Sequence, residues 1–289
     1  MSEWKGSDLC SWEQFLERLE WLRGKRKDCP STKVLSILYR GDRNPQRNLE
    51  ISLEREGLHV TFAPYFERVT TIRAEVESMT GRRWDVMPDE SACRDWIVPL
   101  GGNSMPPRAP PGYEYLAYLR HHGFPSPLLD WSRSPYVAAY FAFSNANEGQ
   151  KEPVSIYIYW EMGTGKAYGN LSRPLIFSLG PHIRTHHRHF RQQSEYTFCV
   201  RQEENVGLKF APHDEAVTPC DGLPDSEVDT YIEKPPSDLA WKFNIPVKEK
   251  WKVLGYLDEH NLNGFTLFGT EEELMKTLAK RAEIKRWRD

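Results

Sequence analysis

The chain has 289 residues, of which 39% are hydrophobic and 12% aromatic, a composition typical of a globular protein with a sizeable core. Its 38 Lys and Arg residues and 41 Asp and Glu residues give a formal net charge of −3, so only a local basic patch could indicate nucleic-acid binding. The scattered cysteines, five in number, and the lack of a signal sequence or of an apolar run of about 20 residues predict a cytoplasmic protein with no membrane contact.

Two elements open the chain. Apolar residues at helical spacing predict an amphipathic helix over residues 11–27, and the β-prone run 34–39 predicts a strand. The strand ends at Arg40-Gly41, where glycine lets a backbone approach a ligand and a guanidinium can fork onto phosphate oxygens. Alternatively, Arg40 is a surface charge at a turn.

Residues 47–79 show helical spacing, with Pro64 near the start of a second helix. The Gly- and Pro-rich run 101–112 cannot form regular structure and predicts a loop, which is either an insertion or a lid. We therefore expect residues 1–30 to be an N-terminal helical extension of one domain over 31–289, with a loop insertion at 81–112.

The stretch 115–161 is the most informative part of the sequence. A short helix is expected to end at Gly123, Ser134-Pro135 predicts the start of a buried helix over 136–143, and 154–160 predicts a central strand. Polar groups in this apolar setting must find partners within the protein or serve a ligand. These groups are His121, His122, Asp130, Ser132 and Ser134.

A histidine-rich run follows the strand predicted at 175–179. Four histidines within residues 182–189 suggest a metal site, but the neighbouring arginines would repel a cation, and we expect no metal. The local positive charge suits a phosphate-rich ligand. A strand is predicted over 195–200, with Gln193, Ser194 and Glu195 in a turn at its start.

The C-terminal part begins with a polar excursion over 203–237. A strand is predicted at 239–245, Pro246 is expected to open a helix that continues to about residue 259, and Thr270 caps a last helix. The glycines and lysine at 163–166 lack the spacing of a phosphate-binding loop, and no dinucleotide-binding glycine motif is present. The pattern as a whole predicts an α+β fold with a split, mostly antiparallel sheet surrounded by helices.

If Arg40, the segment 121–134 and residues 193–195 converge, their chemistry suits cleavage of the nicotinamide glycosidic bond of NAD+. Arginine would hold the pyrophosphate, serine hydroxyls would orient a ribose, and aromatic rings would stack on the cationic nicotinamide. Glu195 would stabilise the positive charge that develops on the ribose, because the transition state resembles an oxocarbenium ion. This chemistry needs no metal.

Four sequence blocks resemble those of the FRG-domain family, which is named after its aromatic-Arg-Gly motif. The blocks are Tyr39-Arg40-Gly41, His121-His122-Gly123-Phe124-Pro125-Ser126-Pro127-Leu128-Leu129-Asp130-Trp131-Ser132 with Ser134-Pro135, Gln192-Gln193-Ser194-Glu195-Tyr196-Thr197, and Ile245-Pro246 with Gly264-Phe265-Thr266-Leu267-Phe268. The resemblance covers about residues 34–279. Gly269-Thr270 replaces the proline and aspartate that usually follow the last block.

The resemblance further implies kinship with ADP-ribosyltransferases. In that comparison Arg40 matches the first-strand motif, Ser132 or Ser134 matches the second, and Gln193-Ser194-Glu195 matches the third. Many FRG sequences carry an apolar residue where Glu195 stands, so Gln193 is an alternative catalytic residue. The cofactor-binding residues implied are Tyr39, Arg40, Gly41, His121, His122, Asp130, Trp131, Ser132 and Ser134.

Purely structural roles remain open for several of these residues. Asp130 could cap the helix that starts at Ser134 or pair with Arg133, Trp131 could be a core residue, and Glu195 could lie exposed at a strand edge. His121 and His122 could simply end a helix.

The sequence is therefore consistent with three functions. The first is an NAD+-dependent toxin or phage-defence effector that modifies a protein, RNA or DNA target and is restrained by a neutralising partner. The alternative is a nucleotide- or nucleic-acid-binding sensor or interaction module without turnover. A nuclease that uses the histidines of 182–189 is the third.

Overall fold

The computed structural model describes residues 4–58, 61–97, 109–147, 149–164, 166 and 171–288. The strands in these residues are β1 Ser7–Asp8, β2 Val34–Asp42, β3 Leu129–Ser132, β4 Val154–Met162, β5 Leu175–Ser178, β6 Ser194–Glu203, β7 Gly207–Phe210, β8 Val217–Pro219 and β9 Asp238–Ile245. The helices are α1 Trp12–Lys27, α2 Ser52–Arg55, α3 Phe62–Thr71, α4 Arg73–Thr80, α5 Glu90–Ile97, α6 Tyr113–His121, α7 Pro135–Ser144, α8 His187–Arg191, α9 Asp225–Glu233, α10 Lys250–Glu259, α11 Gly264–Phe268 and α12 Glu271–Arg288. Short 3₁₀ turns lie at His213–Glu215 and Val247–Glu249.

All of these strands belong to one sheet with the order β1-β9-β4-β2-β3-β6-β5, to which β7 adds beside β6 and β8 beside β9. Neighbouring strands are antiparallel, except that the short strands β1 and β8 run parallel to β9. β2 pairs with β4 along residues 34–42, but it shares a single register pair with β3, Tyr39↔Ser132. The sheet therefore divides between β2 and β3, and the predicted α+β class with a mostly antiparallel sheet is confirmed.

The central strand β4 is buried along its whole length. Ile156, Ile158 and Trp160 contribute to one core, whereas Tyr157 and Tyr159 contribute to the other. Alternate residues of a strand point to opposite faces. Both faces of β4 are thus covered, which explains why the sequence there is an almost unbroken apolar run.

Helix α7 packs directly against β2. Its N-cap is Ser134, whose side chain accepts a hydrogen bond from the Val137 amide at 3.3 Å, and Pro135 occupies the first turn. A Cβ added to Gly41 would lie 1.9 Å from the carbonyl oxygen of Ala138. The absence of a side chain at Gly41 is therefore what lets the helix approach the strand backbone so closely.

The N-terminal segment takes part in the same core. Trp12 and Phe15 of α1 are buried, and the Phe15 ring lies 6.2 Å from that of Phe243 in β9. β1 also pairs with β9. The separation of residues 1–30 as an extension stays a prediction.

Most of the predicted elements are confirmed, including α1, β2, the helix start at Ser134, β4, β5, β9 and the last helix. The turn predicted at 193–195 is wrong in part: Gln193 lies in a turn with a left-handed φ of 49°, but Ser194 and Glu195 already belong to β6. The excursion predicted over 203–237 is also wrong in part, since it contains β7, β8 and α9. Buried Val228 and Ile232 fix α9 to the core.

The loop predicted at 101–112, and with it the idea of a lid, falls largely on residues 98–108, which lie outside the described residues. The helices that the structure describes do not include one with the length and apolar character needed to cross a bilayer.

Candidate functional site

A cavity of about 550 Å³ opens where β2 and β3 separate. Its walls come from the end of β2 and the segment that follows it, the end of α6, β3, and the start of β6, together with Phe141 of α7 and Phe268 of α11. A cavity of this size can take a ligand as large as a dinucleotide. Among the residues singled out from the sequence, those that line it are Tyr39, Arg40, Gly41, His121, Asp130, Trp131 and Ser132.

Arg40 lies in the gap between the two half-sheets. Its Nη1 donates to the Asp130 carbonyl oxygen at 2.9 Å, and its Nη2 is 3.9 Å from the carboxylate of Asp42. The side chain is only 12% exposed, and its Nε is buried without a hydrogen-bond partner among the described residues. Arg40 is therefore not a surface charge at a turn, and its guanidinium has donor capacity that its neighbours do not satisfy.

Asp130 supplies a carboxylate to the cavity. Its side chain is 40% exposed and forms an ion pair with Arg120 of α6, which is itself only 14% exposed. In the described part of the chain its ion-pair partner is Arg120 and not Arg133, and the N-cap of α7 is Ser134 and not Asp130. The Nε of Arg120, like that of Arg40, is buried without a hydrogen-bond partner among the described residues.

Positive charge dominates the cavity. The arginines that line it are Arg40, Arg43, Arg47, Arg55 and Arg120, and the acidic residues are Asp42 and Asp130. Burial, and then the charges of Arg40, Arg120 and Arg47, lowers the pKa of Arg55. Guanidinium groups held this close repel one another, so an anion in the cavity would relieve the repulsion.

His121 lies beside this charge in a neutral form. Its Nε2 is 2.8 Å from the hydroxyl of Tyr196, and both residues line the cavity. Burial lowers the pKa of His121 to about 4, although the carboxylate of Asp130 acts in the opposite direction. His122 is exposed and its ring lies 4.3 Å from that of Tyr118, outside the cavity.

The hydroxyls of Ser132 and Ser134 form hydrogen bonds with backbone groups. The Ser132 hydroxyl donates to the carbonyl oxygen of Gln192 at 2.8 Å and accepts from the Ser134 amide at 3.1 Å. It thereby ties β3 both to the turn before β6 and to the start of α7. Of the two hydroxyls, only that of Ser132 belongs to a residue that lines the cavity.

Trp131 is chiefly a core residue. It is 3% exposed, its Nε1 donates to Thr197 Oγ1 at 2.8 Å, and its ring lies 5.3 Å from that of Tyr159. Trp131 therefore lies in the core, as one of the two interpretations of the sequence expected, although part of the residue also lines the cavity.

The residues proposed for catalysis from the third motif are not brought to the cavity. Glu195 is 3% exposed and stands opposite Trp131 in the register of β3 and β6. Its neighbours Ser194 and Tyr196 line the cavity, so strand alternation directs the Glu195 side chain to the opposite face. Gln193 is exposed, and the cavity is lined by Gln192 instead.

The histidine-rich segment shows no metal-binding arrangement. In the part of the chain that the structure describes, no three His, Cys, Asp or Glu side chains are grouped so that they could share an ion. His189 is buried, and its Nε2 lies 2.9 Å from the Pro181 carbonyl oxygen.

The site residues assigned from the sequence did not include four of the arginines of the cavity or its aromatic residues Phe141, Tyr196 and Phe268. Arg43, Arg47 and Arg55 follow Arg40 within one short segment, and this density of arginine was a usable signal. Arg120 gave no local signal, because α6 meets the cavity only through the tertiary fold. Phe268 stands in the last of the four sequence blocks, but nothing in that block indicated a position at the cavity.

These observations define an α+β domain with a cationic, ligand-sized cavity at the division of its sheet. A family model described as the FRG domain matches residues 36–151, and the chain therefore contains an FRG domain over this range. The match includes Arg40, Arg120 and Asp130 and ends before the segment around Gln192. No curated protein matches the chain, and no solved structure does.

Proposed function

We propose that the cavity binds NAD+ through its pyrophosphate and that the protein is an ADP-ribosyltransferase-like enzyme that acts on a macromolecular target. The observation that carries this proposal is the convergence of five arginines on one cavity that also holds a carboxylate. Guanidinium groups bind phosphate oxygens in a bidentate manner and keep their charge at any physiological pH. Arg40 and Arg120, the two most buried of these arginines, are the proposed pyrophosphate ligands.

Aromatic residues of the cavity suit the remainder of the ligand. Phe141, Phe268 and Tyr196 line the cavity, and the ring centroids of the two phenylalanines lie 5.9 Å apart. Aromatic faces stabilise a cationic ring such as nicotinamide. The Ser132 hydroxyl is engaged with the backbone, so Ser194 is the better candidate for contact with a ribose.

In this proposal Asp130 supplies the catalytic carboxylate, the role that the sequence analysis assigned to Glu195. In the proposed reaction the bond between nicotinamide and the ribose carbon breaks, and its electron pair stays with nicotinamide. A nucleophile of the target forms the new bond to that carbon and releases its proton to water. The Asp130 carboxylate stabilises the positive charge that develops on the ribose, and Arg120 holds that carboxylate in position.

The alternative is a module that binds a nucleotide without turning it over. The placement of Glu195 on the face away from the cavity favours this alternative, since the third motif then lacks a carboxylate that reaches the ligand. Arg40 and Arg120 bind the phosphates in both cases.

Nicotinamide release and NAD+ binding, measured on the same variants, distinguish the two functions. Asp130→Asn is expected to lower release by roughly 100-fold or more while NAD+ still binds, because one electrostatic contact to a transition state contributes on that order. Arg40→Ala is expected to lose both. Glu195→Gln should retain release, and Glu283→Gln, an exposed carboxylate on α12, is the matched control.

The two assays have three informative outcomes. NAD+ binding by the wild type without release would establish the non-catalytic alternative. Equal release by wild type and Asp130→Asn would remove Asp130 from the mechanism, and a wild type that neither binds nor cleaves NAD+ would refute the proposal.

A further inference from the structure

A basic and aromatic surface lies beside the cavity on helix α8, and its residues Arg188, Phe190 and Arg191 do not line the cavity. We infer that this surface binds a single-stranded nucleic acid, which is the acceptor of the proposed transferase. The role as acceptor rests on the proposed function, whereas strand binding by the surface does not.

The short helix α8 forms one side of this surface. Arg188 lies over the ring of Phe268, 5.4 Å from its centroid, and Phe268 lines the cavity. Arg191 is exposed, and its guanidinium is close enough to Gly269 that an added Cβ there would lie 1.7 Å from it. Two cations therefore stand at the end of α11, next to the opening of the cavity.

An exposed aromatic residue lies between these cations in sequence. Phe190 is 57% exposed, an unusual state for a large apolar side chain. Nucleic-acid bases stack on such rings whatever their sequence, and interleaved arginines contact the phosphates. Arg188 and Arg191, three positions apart, share one side of α8, and Phe190 lies on the adjacent side next to Arg191.

Arg43 extends the positive charge beyond the cavity. Arg43 is exposed and lines both the cavity and a neighbouring hollow of about 480 Å³. The other side chains that line this hollow are mostly amides, and it contains one acidic residue, Glu152. A strand that crosses the cavity could thus contact Arg43 at one end and α8 at the other.

The distribution of charge favours a nucleic acid over a protein. The whole chain has a net charge of −3, so the cations around the cavity are a local concentration and not a general excess. The first turn of α12, which follows the end of α11, carries Glu271, Glu272 and Glu273. Lys276 pairs with Glu272 at 2.6 Å and with Glu273 at 2.9 Å, which offsets part of this negative charge. A pyrophosphate would neutralise only part of the positive charge, whereas a strand brings one phosphate for each nucleotide.

The test uses the full-length protein and a dye-labelled 12-nucleotide single strand, as DNA and as RNA, with binding followed by fluorescence anisotropy at several salt concentrations. The wild type is expected to bind, with an affinity that falls as salt rises. The double variant Arg188→Gln/Arg191→Gln should reduce the slope of log K against log salt by about 1.4, since each phosphate contact to a single strand contributes about 0.7. Phe190→Ala should weaken binding about tenfold, the effect of losing one stacked base.

The control is Lys285→Gln/Arg286→Gln, which removes two exposed charges from the last turn of α12 and should bind as the wild type does. Thermal melting checks that every variant is folded. Failure of the wild type to bind either strand, or equal weakening in the control, would overturn the inference.

Incubation with labelled NAD+ separates this inference from the proposed function. Transfer of label to the strand supports both. Transfer to added proteins alone refutes the nucleic-acid acceptor but leaves the transferase intact, and strand binding without nicotinamide release refutes the transferase but leaves the binding surface intact.

Discussion

Replacement of Gly41 by alanine tests the packing that places Arg40 at the cavity. The added Cβ would lie 1.9 Å from the Ala138 carbonyl oxygen and 2.8 Å from the Ala142 amide nitrogen. Both atoms belong to the backbone of a buried helix, so no side-chain rotation can relieve the contact. Overpacking usually costs about 1–3 kcal/mol. Because β2 and α7 must separate here, we expect the upper end of this range, about 3 kcal/mol or more.

The assay is thermal and urea unfolding of Gly41→Ala, with Gly24→Ala as the matched control. Gly24 lies in α1 with open space around it, so alanine there should stabilise the protein by about 0.5–1 kcal/mol. A loss of 3 kcal/mol should lower Tm by roughly 6 °C in a chain of this size. Unchanged stability of Gly41→Ala would show that α7 does not pack on β2 as described.

Three further predictions concern the site and its surroundings. Ser132→Ala should destabilise the protein by about 1–2 kcal/mol in urea unfolding, because the carbonyl of Gln192 and the amide of Ser134 each lose a partner, and an unchanged midpoint would contradict this role. Trp131→Phe keeps a ring in the core but removes the donor to Thr197 Oγ1, which retains its contact with His213 Nε2 at 3.0 Å, so the change should cost about 1 kcal/mol in the same assay; an unchanged midpoint would contradict this. Burial raises the pKa of Glu54 to about 7, so ionisation is less favourable in the folded protein, and this residue should make stability fall as pH rises from about 4.5 to about 7. Glu54→Gln should remove that component, which is read as the difference between the two stability profiles, and parallel profiles would refute the assignment.

Local sequence signals predicted the elements that position the site. Ser134-Pro135 marked the start of α7, and the apolar run of β4 marked the strand at the centre of the sheet. These signals suffice because a cap or a doubly buried strand needs only its own residues to be recognised. Arg40 at the end of β2 was found in the same way.

The composition of the site could not be predicted in full, because two details depend on tertiary structure. The turn ends at Gln193, which has a left-handed conformation, so β6 starts at Ser194, one residue earlier than the predicted strand. Glu195 then faces away from the cavity. The pairing of Asp130 with Arg120 joins β3 to α6. No spacing within either segment indicates this partner, and the sequence suggested Arg133 instead.

The most direct test of a phosphate-binding cavity is a crystal structure of the Asp130→Asn variant with NAD+. This variant is expected to bind the dinucleotide without cleaving it. We predict pyrophosphate oxygens within hydrogen-bonding distance of the guanidinium groups of Arg40 and Arg120. NAD+ bound elsewhere, with these two arginines making only the contacts described above, would contradict the account.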